Sequence, residues 1–561
     1  MKNNKTSIVS QDYNVLVGGA AGEGSRMAGL TIAKFLSNYG WRVSITEDYQ
    51  SLIKGGHNFS IIRATKQRNA SAKKTVDFLI ALNKHTFEKH LSSLDKDGIV
   101  IYNSDVSEYE HGFGLSAKEI TETFKCAPIM KNSAFLGAFA KVIGMDFSVL
   151  EEVFKKEISK EYEANVAIAR YGYDKVDTLE KIEKLKQTPL PLITGNEALA
   201  LGAVKAGMKA YYAYPMTPAT NILHFLAKNT KEFDTKVVQL ENEIAVINAG
   251  MASASAGLRT MVGTSGGGLA LMAEGISCCA QGEIPMVIVN SQRTGPATGV
   301  PTYGGQCDLD FCRGIGHGDF TRLILAPGNA EESYLLGAMA VNYAWKYQIP
   351  VMVLTDKDVS EGTYDFDPKI IDKVKIEKEL KWDGKGEYQR YANTKNGISP
   401  MAYFGDNAVI KITSYEHGEN GITAEEDEKE INMMQEKRLK KFALLEKDIQ
   451  KIKSVNVYGN KNSKTAILAW GCVTGVAKEA AEALGIKLIQ PTILTPFPKK
   501  QIEIALKGVK NLIAVEMGAV GQLANLFVDN GIKVDSRILK YSGRQFFVEE
   551  LISQLKSKIK R

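Results

Sequence analysis

Side chains able to do chemistry are concentrated between residues 214 and 302. Glu243, in Gln239-Leu240-Glu241-Asn242-Glu243-Ile244-Ala245, heads a small and apolar run with no further charge before Arg259. An acid at a helix start ordinarily complements the helix dipole. In so apolar a setting, a desolvated carboxylate can instead share a proton with a heterocycle nitrogen. Thr217 lies in Tyr214-Pro215-Met216-Thr217-Pro218-Ala219-Thr220. Two prolines stiffen that turn and either hold the hydroxyl as a donor or leave it as a turn former. Arg293 lies in Gln292-Arg293-Thr294-Gly295-Pro296-Ala297-Thr298-Gly299-Val300-Pro301-Thr302. A guanidinium on a stiff loop suits bidentate recognition of a carboxylate, against the ordinary solvated loop arginine. Gly263-Thr264-Ser265-Gly266-Gly267-Gly268 adds a glycine turn from strand to helix.

Two N-terminal motifs are less specific. Gly18-Gly19-Ala20-Ala21-Gly22-Glu23-Gly24 approximates a dinucleotide loop, in which backbone N–H groups meet a phosphate at a helix start. Glu23 inside the loop would repel a pyrophosphate, and the ribose-binding acids on offer, Glu47 and Asp48, fall late. A phosphate site and a plain tight turn both stand. Lys54, in Tyr49-Gln50-Ser51-Leu52-Ile53-Lys54-Gly55-Gly56-His57-Asn58, either offers its ammonium to a carboxylate in a cleft or is an exposed loop lysine.

Alternating strand and helix patterns must position these residues. The run 13–17, the glycine loop, a helical pattern (Met27, Leu30, Ala33, Phe35, Leu36) and Arg42–Thr46 read as one right-handed βαβ unit. Strands at Thr75–Ala81 and Gly98–Tyr102 continue an open sheet, and a helical stretch from about Met145 to Lys186 closes it. Residues 187–192, with two prolines, read as a linker. Strands at Ala210–Tyr214, Lys236–Leu240, Arg259–Thr264, Met286–Asn290, Thr321–Ala326 and Pro350–Thr355 alternate with helices, predicting a mostly parallel sheet covered on both faces. Three strand-end loops of that sheet then carry Thr217, Gly266–Gly268 and Arg293, where open α/β sheets bind ligands. The charge-dense stretch from about 365 to 455 reads as a solvated connector with an amphipathic helix. A third α/β segment follows from Lys464.

The 561 residues are 44% hydrophobic and 24% charged, a globular composition sufficient for about three domains. Seventy Lys plus Arg against 64 Asp plus Glu give a net charge of +6, too weak over this length to imply nucleic acid or a membrane surface. The stretch between Lys209 and Lys228 is free of Asp, Glu, Lys and Arg but contains Pro215 and Pro218, which argues against a membrane span. The six cysteines form no C-x-x-C pair, so neither a zinc ribbon nor a ferredoxin-type cluster is encoded, and no metal ligand set is expected in this chain. A polar N-terminus and few cysteines point to a cytoplasmic protein.

Tyr214–Thr220, Glu241–Ala245, Thr264–Gly268 and Gln292–Thr302 together resemble the α subunit of thiamine-diphosphate-dependent 2-oxoacid:ferredoxin oxidoreductases. The glycine loop with Ser51–Asn58 resembles their γ domain, fused ahead of α. Residues 390–400 and 416–423 resemble the family's connector, and Trp470–Gly475, Leu494–Pro498 and Val515–Leu523 its transketolase-C-like domain. Met216 and Ala219 replace the usual Ile and Ser, Thr294 and Ala297 the common Gly and Ser. The fold implied is α/β with three domains: γ (1–186), pyrimidine-binding (187–365) and transketolase-C-like (456–561), with the connector at 366–455.

The resemblance implies that Glu243 is the catalytic carboxylate on the coenzyme's aminopyrimidine, with Tyr214 and Pro215 alongside it. Thr217 and Arg293 would bind the substrate's carboxylate and oxo oxygen, and Lys54 a distal carboxylate, which favours 2-oxoglutarate over pyruvate or branched-chain 2-oxoacids. Oxidative decarboxylation would give CO2 and an acyl group passed to coenzyme A, with electrons leaving to ferredoxin. This sequence has neither the G-D-G-and-Asn pattern that holds diphosphate through Mg2+ nor cysteines spaced for a 4Fe–4S cluster. Those are therefore expected on a β subunit, in an αβ or (αβ)2 assembly. A nicotinamide-dependent dehydrogenase using the glycine loop and a non-catalytic scaffold subunit are the alternatives.

Overall fold

Apolar runs buried on both faces build three sheets in the computed structural model, which describes residues 12–51, 55–158 and 160–559. Lys54 lies outside the described residues. The chain separates into two compact units.

The first unit holds the residues up to Leu192, with Gly362–Phe366 and Phe547–Glu549. Its central strand, Asp12–Ala21, carries Val15, Leu16 and Val17 into the core and runs parallel to Val76–Ala81. The helix Ser25–Asn38 leads to the strand Arg42–Asp48, as the βαβ pattern predicts. The two strands are not neighbours, however. Gly55–Thr65 lies between them, antiparallel to both, with Thr65 opposite Asp12 and Arg42 and a register shift between Gly19 and Ala21. Its residues 57–65 alternate well enough for a strand, but the polar cluster ahead of them disguised it. The predicted helix from Met145 is two helices, Phe147–Glu157 and Tyr162–Asp174. After Asp174 the chain becomes a strap, in which Ile182 and Leu185 donate N–H bonds to Ile143 and Tyr39 carbonyls. Ile182 is buried there, so tertiary contacts override local helix preference.

The second unit contains two sheets. The larger has the order Ile493–Thr495, Leu323–Leu325, Pro350–Asp356, Met286–Gln292, Thr260–Thr264, Ala210–Ala213, Lys236–Gln239. All are parallel except the first, an antiparallel edge strand supplied by the C-terminal segment. Every residue of Met286–Gln292 and Pro350–Asp356 is buried, as expected of strands covered on both faces. The smaller sheet orders Val455–Gly459, Lys487–Pro491, Thr465–Leu468, Asn511–Glu516 and Ser536–Leu539, parallel apart from its first strand. The α/β architecture with mainly parallel sheets thus follows the alternating pattern.

The charge-dense stretch is not wholly solvated. Its helix Glu428–Ile449 buries Lys437 and Lys441 against Glu283, whose side chain is 0% exposed. Lys437 Nζ lies 2.5 Å from Glu283 Oε1, and Arg390 donates to the Glu283 carbonyl at 2.7 Å. Arg438 pairs with Glu416 through both guanidinium nitrogens. Burial alone would raise the Glu283 carboxyl, but the Lys441 and Lys437 charges outweigh it and hold the group far below the usual range.

Candidate active site

Three loops at the carboxyl ends of parallel strands converge in the second unit. Asn242 caps the helix Glu243–Ser255, its side chain accepting the Ala245 N–H at 2.9 Å. With that role taken by its neighbour, Glu243 turns inward and is only 3% exposed. Its Oε1 is buried without a hydrogen-bond partner among the described residues. Such an acceptor costs about 1–3 kcal/mol or more unless a ligand donor satisfies it.

The glycine turn explains how the carboxylate fits. A Cβ on Gly268 would stand 2.1 Å from Thr264 Oγ1 and 2.4 Å from Glu243 Oε1. The two oxygens crowd over that residue because it has no side chain. Thr264 also reaches Met216 Sδ at 4.0 Å, joining this turn to the loop of Thr217. Arg293 donates from Nη1 to the Thr217 carbonyl at 3.0 Å, so the first and third motifs are joined directly. Its Nε is buried with no partner among the described residues, which leaves the Nε edge of the guanidinium for an anion. Tyr214 is 39% exposed and Pro215 half-buried at the end of the strand Ala210–Ala213.

The glycine loop of the first unit is arranged differently. Glu23 Oε2 accepts the Ala20 N–H at 2.6 Å and Asn83 Nδ2 at 2.9 Å, while Lys131 lies 3.6 Å from Oε1. The loop's own carboxylate thus takes one of its backbone N–H groups.

Sequence reasoning missed the residues that brace the Arg293 loop. Gln306, 1% exposed, donates to the Trp470 carbonyl at 2.8 Å and exchanges bonds with both backbone groups of Met517. Gln522 accepts from the Asp310 N–H and donates to the Cys307 carbonyl. The available signal was Gln306-Cys307-Asp308, polar groups shortly beyond the Gly/Pro loop. The partners of Gln306 and Cys307 lie 164 to 215 residues away in sequence.

Residues 201–437 match the family described as pyruvate flavodoxin/ferredoxin oxidoreductase, thiamine-diphosphate-binding, and residues 14–175 match pyruvate ferredoxin/flavodoxin oxidoreductase. The 2-oxoglutarate synthase subunit KorA of Methanothermobacter thermautotrophicus is 32% identical over 341 residues, 59% of this chain and 88% of that protein. The chain belongs to the 2-oxoacid:ferredoxin oxidoreductase family. The 2-oxoacid:ferredoxin oxidoreductase α subunit of a Sulfolobus species is 29% identical, aligned over 97% of this chain and 96% of its own. A solved 2-oxoglutarate:ferredoxin oxidoreductase from Magnetococcus marinus, with 2-oxoglutarate, coenzyme A and succinyl-CoA bound, superposes with a TM-score of 0.88 at 28% identity. The match covers 98% of this chain and 100% of that one. This oxidoreductase chain is therefore α-subunit-like along its whole aligned length, and no helix among its described residues is long and apolar enough to cross a membrane.

Proposed function

We propose that this chain is the α subunit, with a fused γ-type N-terminal unit, of an enzyme that oxidatively decarboxylates 2-oxoglutarate. The products are CO2 and an acyl-coenzyme A, and ferredoxin takes the electrons. The observation carrying this reading is Glu243: a buried carboxylate with an unpartnered oxygen, held over Gly268 in the segment matching a thiamine-diphosphate-binding family.

The residues present fit that coenzyme. A buried acceptor needs a donor, and the aminopyrimidine ring nitrogen, once protonated, is one. Thiamine diphosphate, when bound, supplies a thiazolium carbon that adds to 2-oxo groups and holds the electrons released on decarboxylation. Glu243 shares a proton with the pyrimidine nitrogen, and its burial excludes the water that would weaken the bond. Tyr214 and Pro215 form the neighbouring strand-end wall. Thr217 offers its hydroxyl to the oxo oxygen of the substrate. Arg293, fixed through Nη1 on the Thr217 carbonyl, offers its Nε edge to the 1-carboxylate. Lys54, which the sequence offers for a distal carboxylate, lies outside the described residues.

The chain needs a partner. A β subunit supplies the Mg2+–diphosphate half of the site and the 4Fe–4S cluster, in an αβ or (αβ)2 enzyme in the cytoplasm. Beside Glu243, the second unit exposes Ile244 at 51% and Leu271 at 50%, with Tyr214 at the strand end. Apolar side chains flanking an incomplete site suit a covering subunit. The names of the KorA relatives and of the Magnetococcus structure favour 2-oxoglutarate over other 2-oxoacids.

The test is co-expression with the neighbouring-gene product, purification of the complex, and viologen reduction with a panel of 2-oxoacids. Reduction that needs 2-oxoglutarate, coenzyme A and thiamine diphosphate is expected. Faster reduction with pyruvate would overturn the substrate, and none with any 2-oxoacid would overturn the function.

A further inference from the structure

Thr294 follows Arg293 directly, and the reaction just described gives it no role. All of its polar groups are nevertheless bonded within the loop. Its N–H donates to the Tyr303 carbonyl at 3.2 Å, its carbonyl accepts the Val300 N–H at 2.9 Å, and its Oγ1 donates to the Gly304 carbonyl at 2.6 Å. Tyr303 in turn donates its N–H to the Val300 carbonyl at 3.2 Å. The loop therefore closes on itself at Thr294. Whatever holds Tyr303 and Gly304 also holds the backbone from which Arg293 projects.

What holds them comes from the far end of the chain. After the strand Ser536–Leu539 a turn brings Gly543 and Arg544 onto the loop, inside the same compact unit. Lys540 Nζ closes that turn by donating to the Gln545 carbonyl at 2.9 Å. The Gly543 carbonyl accepts the Gly304 N–H at 3.1 Å, and the Arg544 guanidinium lies over the Tyr303 ring, 3.4 Å from its centroid. Gly543 has a φ of +77°, and a Cβ there would stand 2.9 Å from Tyr303 Cβ and 3.4 Å from Thr294 Oγ1. Glycine thus permits both the left-handed backbone and the close approach. Tyr303 is half-buried and Arg544 exposed, so the guanidinium caps the ring from the solvent side, a stacked cation–π contact.

We propose that Arg544 is a positioning residue for substrate binding: stacked on Tyr303, it latches the loop that closes at Thr294, so that Arg293 meets the carboxylate of the 2-oxoacid from a fixed backbone. This rests on the substrate role given to Arg293 above. The Arg293 guanidinium donates one hydrogen bond, from Nη1 to the Thr217 carbonyl, and its Nε has no partner among the described residues. A guanidinium fork binds a planar carboxylate through two bonds only when it is aligned, and a loop free to shift would carry it out of line. The latch acts on the bound substrate and the transition state alike, so its loss is read in KM and not in kcat. Because Arg544 lies at the surface, replacing it leaves the core untouched.

The experiment compares wild type, Arg544→Met, Tyr303→Leu and the double variant in the complex with the partner subunit. Steady-state viologen reduction gives KM and kcat for 2-oxoglutarate, calorimetry gives its Kd, and hydrogen–deuterium exchange follows peptides covering residues 294–304. Each single variant is expected to raise KM and Kd about fivefold, the size of one stacked cation–π contact, with kcat within about twofold. The double variant is expected to lose no more than either single one, because the two side chains make one contact. Exchange over residues 294–304 quickens in all three, while peptides from the helix Glu243–Ser255 and the melting temperature stay as in wild type. Unchanged KM and Kd in Arg544→Met, losses that multiply in the double variant, or unaltered loop exchange would each overturn the proposal. So would a loss confined to kcat. A wild-type complex that turns over no 2-oxoacid, while its loop exchange still depends on Arg544, counts against the proposed reaction and not against the latch.

Discussion

Replacing Gly268 by alanine puts a single methyl group where the structure has two oxygens. The added Cβ would lie 2.1 Å from Thr264 Oγ1 and 2.4 Å from Glu243 Oε1, both far inside van der Waals contact. Thr264 is buried on a central strand, so the Glu243 carboxylate is the group with room to yield. For stability the effects oppose each other. Overpacking costs ~1–3 kcal/mol, while alanine for glycine in the helix Gly266–Leu271 returns roughly 1 kcal/mol. The net is about 0–2 kcal/mol, and the variant should fold. For activity nothing offsets the displacement: moving a catalytic group by ~1 Å costs on the order of a hundredfold. The assay is 2-oxoacid-dependent viologen reduction by the assembled complex at saturating thiamine diphosphate. Gly314→Ala serves as the control, because a Cβ there meets nothing within 4 Å. A Gly268→Ala enzyme within about threefold of wild type would refute the packing argument, since the carboxylate proposed as catalytic could not move that far unnoticed.

Arg293→Lys keeps the charge but loses the fork, and should lower kcat/KM by on the order of a hundredfold, mainly through KM, in steady-state assays across 2-oxoacid concentration. Glu283→Ala would leave Lys437 and Lys441 buried without their anion and should destabilise the protein by ~3–5 kcal/mol, read from urea unfolding, whereas Glu416→Ala on the more exposed Arg438 pair should cost less. Because Glu23 already occupies the amide of Ala20, titration of NAD+ or NADH into the purified chain should give no saturable binding by fluorescence or calorimetry. Saturable nicotinamide binding would contradict the reading of that loop.

The parallel sheets were legible because burial on both faces writes uninterrupted apolar runs such as Met286–Gln292 and Pro350–Asp356. The strand Gly55–Thr65 was not, since its pairing to two other strands is a long-range property that the Lys-Gly-Gly-His cluster masks locally. The site was legible as three motifs, and their order along the sheet predicted that they converge. What the motifs could not give was which atoms meet. That Arg293 is tied to a backbone carbonyl of the Thr217 turn, and that Gly268 exists to admit Glu243, are facts of packing. The charged stretch misled for a related reason. Composition predicts solvent for Lys437 and Lys441, and the distant Glu283 supplies the counter-charge that makes their burial tolerable.

The account turns on the Glu243 carboxylate, and Glu243→Gln in the reconstituted complex tests it most directly. The amide preserves size but cannot share a proton in the same way, so viologen reduction with 2-oxoglutarate should fall by about 10²–10⁴-fold while the partner subunit still co-purifies. A Glu243→Gln complex that reduces viologen at the wild-type rate would contradict the assignment of this side chain and the function built on it.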